Sequence, residues 1–120
     1  MKQLIVSIKT PTQALNDFRD ALSRSRRGQQ TPTYEVAFSE KKDFLRFTEN
    51  MHILSAIRIH KPKSIYELAQ KLKQDVSNLN KIIQFFKSVG VIELKEERIS
   101  GRKVQRPIVH YEAIQFRLAA

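Results

Sequence analysis

The run from Ser64 to Ile92, SIYELAQKLKQDVSNLNKIIQFFKSVGVI, restricts the possible folds more than any other part of the chain. Ser64 with Glu67 three residues on forms a capping box: the hydroxyl serves an orphan N–H of the first turn and the carboxylate reaches back to the cap amide. A helix starts here, with Ile65, Leu68, Ala69 and Leu72 on one face while Lys71 and Lys73 point elsewhere. Asp75 is a good cap for a second helix, whose apolar stripe is Val76, Leu79, Ile83 and Phe86. Gly90 closes it, taking a left-handed conformation without a side-chain penalty. The signals thus describe two short helices, a tight turn between them and a strand directly after.

That second stripe leaves Ser77, Asn78, Asn80, Lys81 and Gln84 outside. Such a surface suits base edges, because Asn and Gln can pair twice with adenine, Lys can donate to guanine, and an α-helix fits the major groove. The bland alternative is a solvated helix face. Charge weighs against it: the net charge of +10 and a pI near 10.2 make a polyanion the natural partner, nucleic acid before an anionic membrane surface.

The flanks supply the rest of an α+β fold. Leu4, Val6 and Ile8 alternate with Ile5, Ser7 and Lys9 as a strand whose one face is more apolar than the other, and Thr10-Pro11 opens a helix carrying Leu15, Phe18 and Leu22 to about Arg27. Arg24, Arg26 and Arg27 in its last turn either answer the helix dipole or touch phosphate. The polar connector from Gly28 to Pro32 is the expected hinge. Tyr34, Val36 and Phe38 alternate as a second strand, Ser39 caps a short helix with Phe44, Leu45 and Phe47, and Thr48 caps a further helix with Ile53, Leu54 and Ile57 inward. This last helix completes a three-helix core, since a helix pair cannot bury its own apolar faces without a third partner.

Past Gly90, Val91, Ile92 and Leu94 begin a strand that turns near Ser100-Gly101 and returns to Pro107. Its tip and flanks hold Arg98, Arg102, Lys103 and Arg106, cations suited to phosphates or a narrow minor groove, with Glu93, Glu96 and Glu97 able to pair with some of them. The C-terminal segment, with Val109, Tyr111, Ile114, Phe116 and Leu118, reads as extended with a break near Glu112-Ala113. It is more apolar than a free tail, so the two chain ends are expected to cover each other or to build a subunit interface. Ile82 and Phe85 sit off the core stripe of the second helix and need cover from the N-terminal helix or from a second chain. The expectation is a winged helix-turn-helix (three-helix core plus β-hairpin wing) with an N-terminal strand-helix extension: residues 1–47 as a dimerisation or partner-binding arm and 48–120 as the DNA-binding domain.

At these same residues the chain resembles a known family. Glu67-Leu68-Ala69 after an apolar position, Asp75-Val76-Ser77-Asn78, Gly90-Val91-Ile92 and the closing PIVHYEAI are similar to the pattern of MarR-like winged-helix regulators, particularly the small bacterial and archaeal ones that often act as antitoxins. The resemblance covers about the second half of the chain. It implies a DNA-binding transcriptional regulator and adds a role that composition does not show, neutralising a cognate toxin. Where that family commonly has Gly in the turn, this chain has Lys73. The turn must therefore hold a strained Lys at a cost of about 1 kcal/mol or take another shape.

The sequence offers little to an enzyme. Gly28, Gly90 and Gly101 are too scattered for a phosphate-cradling loop, and His52, His60 and His110 lack the spacing of a helical metal pair. Without cysteine there is no disulfide framework and no thiolate ligand or nucleophile. No catalytic residue, cofactor or metal is expected. The brief apolar run in residues 1–10 is too short for a secretory core or a membrane span, so the reading is a cytoplasmic protein without a membrane partner. The expected function is that of a homodimeric autorepressor on double-stranded DNA, with Ser64 and its helix start on phosphate. The competing function is a winged helix serving protein-protein assembly or RNA without specific DNA readout.

Overall fold

The computed structural model describes residues 2–8, 19 and 33–118 of the chain. Its architecture is α+β. In chain order the elements are β1 (Gln3–Ile8), β2 (Thr33–Phe38), α1 (Lys41–Glu49), α2 (Met51–His60), α3 (Ile65–Leu72), α4 (Val76–Ser88), β3 (Glu93–Ile99), β4 (Arg102–Ile108) and β5 (Ala113–Arg117). The expected helix to about Arg27 and the connector from Gly28 to Pro32 lie outside the described residues. Contacts divide the chain into two units, residues 1–46 with 111–120 and residues 47–110. The division drawn from sequence kept 48–120 together; the observed grouping instead places the last ten residues with the N-terminal strands.

In the first unit β1 is the middle strand of a parallel sheet ordered β2-β1-β5. Leu4 is in register with Tyr34 and Ile114, and Val6 with Val36 and Phe116. The strand is not divided into a more and a less apolar side by burial: Leu4, Ile5, Val6 and Ser7 are all buried, while Ile8, from the side expected to be the more apolar, is exposed. Alternation along a strand does not reveal that a central parallel strand is covered on both faces. Ser7 satisfies its buried hydroxyl by donating to Glu35 Oε1 at 3.2 Å. The apolar C-terminus also finds its place here. Glu112 N–H donates to the Lys2 carbonyl at 2.9 Å, β5 then pairs along β1, and Phe44 meets Phe38 and Phe116 edge-on at 6.3 and 6.1 Å. Tyr111 stacks on Tyr34 at 6.0 Å; burial, and next the neighbouring Tyr34, raise its phenol above the ordinary value.

The second unit is organised by α2, α3 and α4. Phe47, Ile53, Leu68, Leu79, Ile83, Phe86 and Val91 are almost fully buried, and Phe47 meets Phe86 edge-on at 5.4 Å. α3 packs on α2, α4 and β4. Three local readings change. The first helical bond of α1 runs from Phe44 N–H to the Glu40 carbonyl, so Glu40 rather than Ser39 sits at its start. Thr48 lies inside α1; the break falls at Asn50, whose side chain makes no cap hydrogen bond. Val76 is exposed, because the inward stripe of α4 begins one turn later at Leu79.

The helix ends explain how α3 and α4 are set. Ser64 Oγ accepts from Glu67 N–H at 3.0 Å, while the Glu67 carboxylate accepts from the Lys63 amide at 3.4 Å instead of the cap amide. Asp75 Oδ2 accepts from Asn78 N–H at 3.0 Å. Gly90, at φ 82°, donates to the Lys87 carbonyl, and Val91 N–H donates to the Phe86 carbonyl at 2.9 Å, the paired bonds of a Schellman ending. α3 ends the same way, Lys73 donating to Gln70 and Gln74 to Ala69, but with Lys73 at φ 54° in the left-handed position. Of the two outcomes left open for the turn, the chain takes the strained lysine. Lys61 after α2 does likewise at φ 47°.

Candidate nucleic-acid interface

Every polar side chain that the sequence placed on the outer face of α4 is exposed: Ser77, Asn78, Asn80, Lys81 and Gln84. The reason lies in the opposite face, where Leu79, Ile83 and Phe86 are fully buried and fix the helix's rotation. What these groups have left to offer differs. Asn78 gives its backbone N–H to Asp75, but its side-chain amide has no hydrogen bond with the described residues, so both donors and the carbonyl oxygen remain available. Asn80 and Gln84 are joined at 3.4 Å, Gln84 Nε2 donating to Asn80 Oδ1, which orders the pair and uses part of its capacity. Lys81 has no ion pair among the described residues.

Ser64 is half-buried at the start of α3 and uses its oxygen as acceptor for the cap. Its hydroxyl proton remains free to donate toward an anion at the helix start, where the dipole favours negative charge. Beyond it, α3 exposes Tyr66 and Gln70, with Gln70 Nε2 donating to the Tyr66 hydroxyl at 3.2 Å. Sequence reasoning passed over this pair. Its signal was the four-residue spacing of two polar-tipped side chains off the apolar stripe.

The hairpin β3–β4 closes through Ser100 and Gly101, both at positive φ (52° and 80°), as a two-residue type I′ turn demands. Its register sets Arg98 opposite Lys103 and Lys95 opposite Arg106. Like charges facing each other across a ladder are unfavourable. Each pair is relieved by one diagonal carboxylate: Lys103 lies 3.5 Å from Glu96 and Arg106 lies 3.6 Å from Glu97. Glu93, expected in the same role, instead meets His110 Nε2 at 2.6 Å. Arg98 and Arg102 keep no ion pair with the described residues. The hairpin thus holds more cations than its own carboxylates neutralise, as does residues 47–110 as a whole, with 12 Lys and Arg against six Asp and Glu.

The described residues hold no group of three or more His, Cys, Asp or Glu placed to bind a metal ion. Among them no helix is long and apolar enough to cross a membrane. Ile82 and Phe85 are half-buried, with the Phe85 ring 5.6 Å from Phe86.

Comparison with curated proteins and with solved structures returns no match. The family model named HVO_A0114 matches residues 47–116, more than half of the chain, beginning where the second unit begins and running into β5; the chain belongs to the HVO_A0114 family.

Proposed function

We propose that this protein is a sequence-specific DNA-binding regulator of the winged-helix class, similar to MarR-like regulators, acting as a homodimer that represses transcription. In this reading α2, α3 and α4 are the three-helix core, α4 enters the major groove, and the β3–β4 hairpin is the wing. The observation that carries it is the outward amide face of α4, above all the Asn78 side chain with its hydrogen-bonding capacity unspent. Asn78 and Asn80 address base edges, Ser77, Lys81 and Gln84 flank them, and Ser64 holds phosphate at the start of α3. Arg98, Arg102, Lys103 and Arg106 hold the backbone beside the groove. Two such heads about 34–36 Å apart read a pseudo-palindrome.

Salt response separates this reading from a protein-protein adaptor. A binder that neutralises six or more phosphates loses about 1,000-fold or more in affinity for duplex DNA between roughly 50 and 200 mM salt. Fluorescence anisotropy with a labelled duplex measures this directly. Absence of duplex binding at low salt rejects the proposal.

A further inference from the structure

β5 ends the parallel sheet of the first unit. Among the described residues its one neighbour is β1, so every second residue along 113–117 turns its backbone N–H and C=O away from the sheet. Edge strands are commonly blunted by charge or proline. The β3–β4 hairpin shows that device: β3 carries five charged side chains in seven residues, and β4 carries three and Pro107. β5, AIQFR, has Arg117 alone. Its apolar side chains are also incompletely covered. Ile114 is half-buried, Phe116 is 37% exposed although it meets the Phe44 ring, and Leu118, just past the strand, is 96% exposed. The other edge differs, because Val36 and Phe38 of β2 are already buried.

The sequence of β5 also fits itself. A two-fold axis perpendicular to a sheet pairs two copies of an edge strand antiparallel, with one residue opposite itself and residues of the same face opposite each other on either side. Centring on Ala113 or Ile114 sets Ile114 or Phe116 against the partner's Glu112, and centring on Gln115 sets Leu118 against it. Centring on Arg117 brings two guanidiniums together, which is unfavourable. Centring on Phe116 avoids both faults. Phe116 then meets the partner's Phe116, Ile114 and the partner's Leu118 cover each other, and the Gln115 side-chain oxygen can accept from the partner's Arg117. We propose that β5 pairs antiparallel with β5 of a second copy about Phe116, joining two three-stranded sheets into one. Pairing β5 with β2 of another copy is head-to-tail and recruits further copies, whereas the self-pairing closes. The contact rests on the homodimer proposed above and is independent of whether α4 reads DNA.

Sedimentation equilibrium of the full chain over about 1–500 μM reads the association, with a monomer–dimer Kd expected on the order of 1–100 μM for so small an interface. Gln115 is exposed, so substitution there spares the core. Gln115→Arg faces the partner's Arg117 on both sides of the axis and should weaken dimerisation about two- to thirtyfold, while Gln115→Glu should tighten it. Oxidation reads the register, since the chain has no cysteine of its own. Gln115→Cys with Arg117→Cys should crosslink two chains, because directly opposite residues lie within disulfide reach, and Gln115→Cys alone should not. The proposal is overturned by a monomer throughout the range, by association continuing past the dimer, or by a dimer indifferent to both charge substitutions at Gln115. Crosslinking of Gln115→Cys alone, or none in the double variant, overturns it too. A monomer that still selects a DNA sequence would sink this contact and leave the DNA reading standing. A dimer with the expected responses that binds no duplex would do the reverse.

Discussion

The outer face of α4 and the β3–β4 hairpin are both polar and exposed, yet they differ in the kind of polar group they offer, amides on the helix and partly paired cations on the hairpin. On the hairpin, Lys103 and Arg106 already lean on Glu96 and Glu97, and cation faces cation across the ladder at Arg98/Lys103 and Lys95/Arg106. On α4 the Asn78 amide is uncommitted and Asn80 and Gln84 hold one weak bond between them. The difference matters physically. A cation in a surface ion pair gives it up to a phosphate at small cost, since such pairs are worth about 0–1 kcal/mol. Reading a base edge uses donors and acceptors matched to its pattern, and an amide not spent on a neighbour has both to give. In the proposed DNA-binding reading, this contrast gives affinity to the hairpin and discrimination to α4.

Single substitutions can break that division of labour. The largest expected effect is on α4: Asn78→Ala should remove about 1–3 kcal/mol of preference for the best site while binding to random duplex hardly changes. Equal losses on both DNAs, measured by competition anisotropy, would erase the distinction. On the hairpin, Arg102→Ala should weaken all duplexes alike, by about five- to tenfold near 0.1 M salt, and reduce the salt slope by about 1. A sequence-dependent loss there would move base readout to the wing. Between the helices, Lys73→Gly should relieve the left-handed strain and raise stability by about 0.5–1 kcal/mol in urea unfolding, with sequence preference unchanged. The smallest effect is expected from Glu96→Gln, which frees Lys103 and should raise affinity for any duplex by a factor of about two.

Local chemistry made the centre of the fold legible in sequence. Ser64, Asp75 and Gly90 are signals that act within four residues of themselves, and each sits at the helix end it announced. The exposed set on α4 followed from the spacing of Leu79, Ile83 and Phe86, and the turn of the hairpin from Ser100-Gly101. Contacts between distant segments were not legible. Nothing in the alternation of residues 3–8 indicates that β1 lies between residues 33–38 and 113–117, or that both of its neighbours run parallel to it. Thr48 carries the signal of a cap without being one, because a capping residue inside a helix looks the same in sequence as one at its start; the break at Asn50 carries no side-chain cap to announce it.

The most direct measurement of the central claim is selection of bound sequences from random duplex DNA, run in parallel with wild type and Asn78→Ala. A helix whose free amides read bases predicts enrichment of a pseudo-palindrome with half-sites about one helical turn apart, and loss of one or two specified positions per half-site in the variant. Recovery of sequences no different from the starting pool, or the same motif from both proteins, would contradict it.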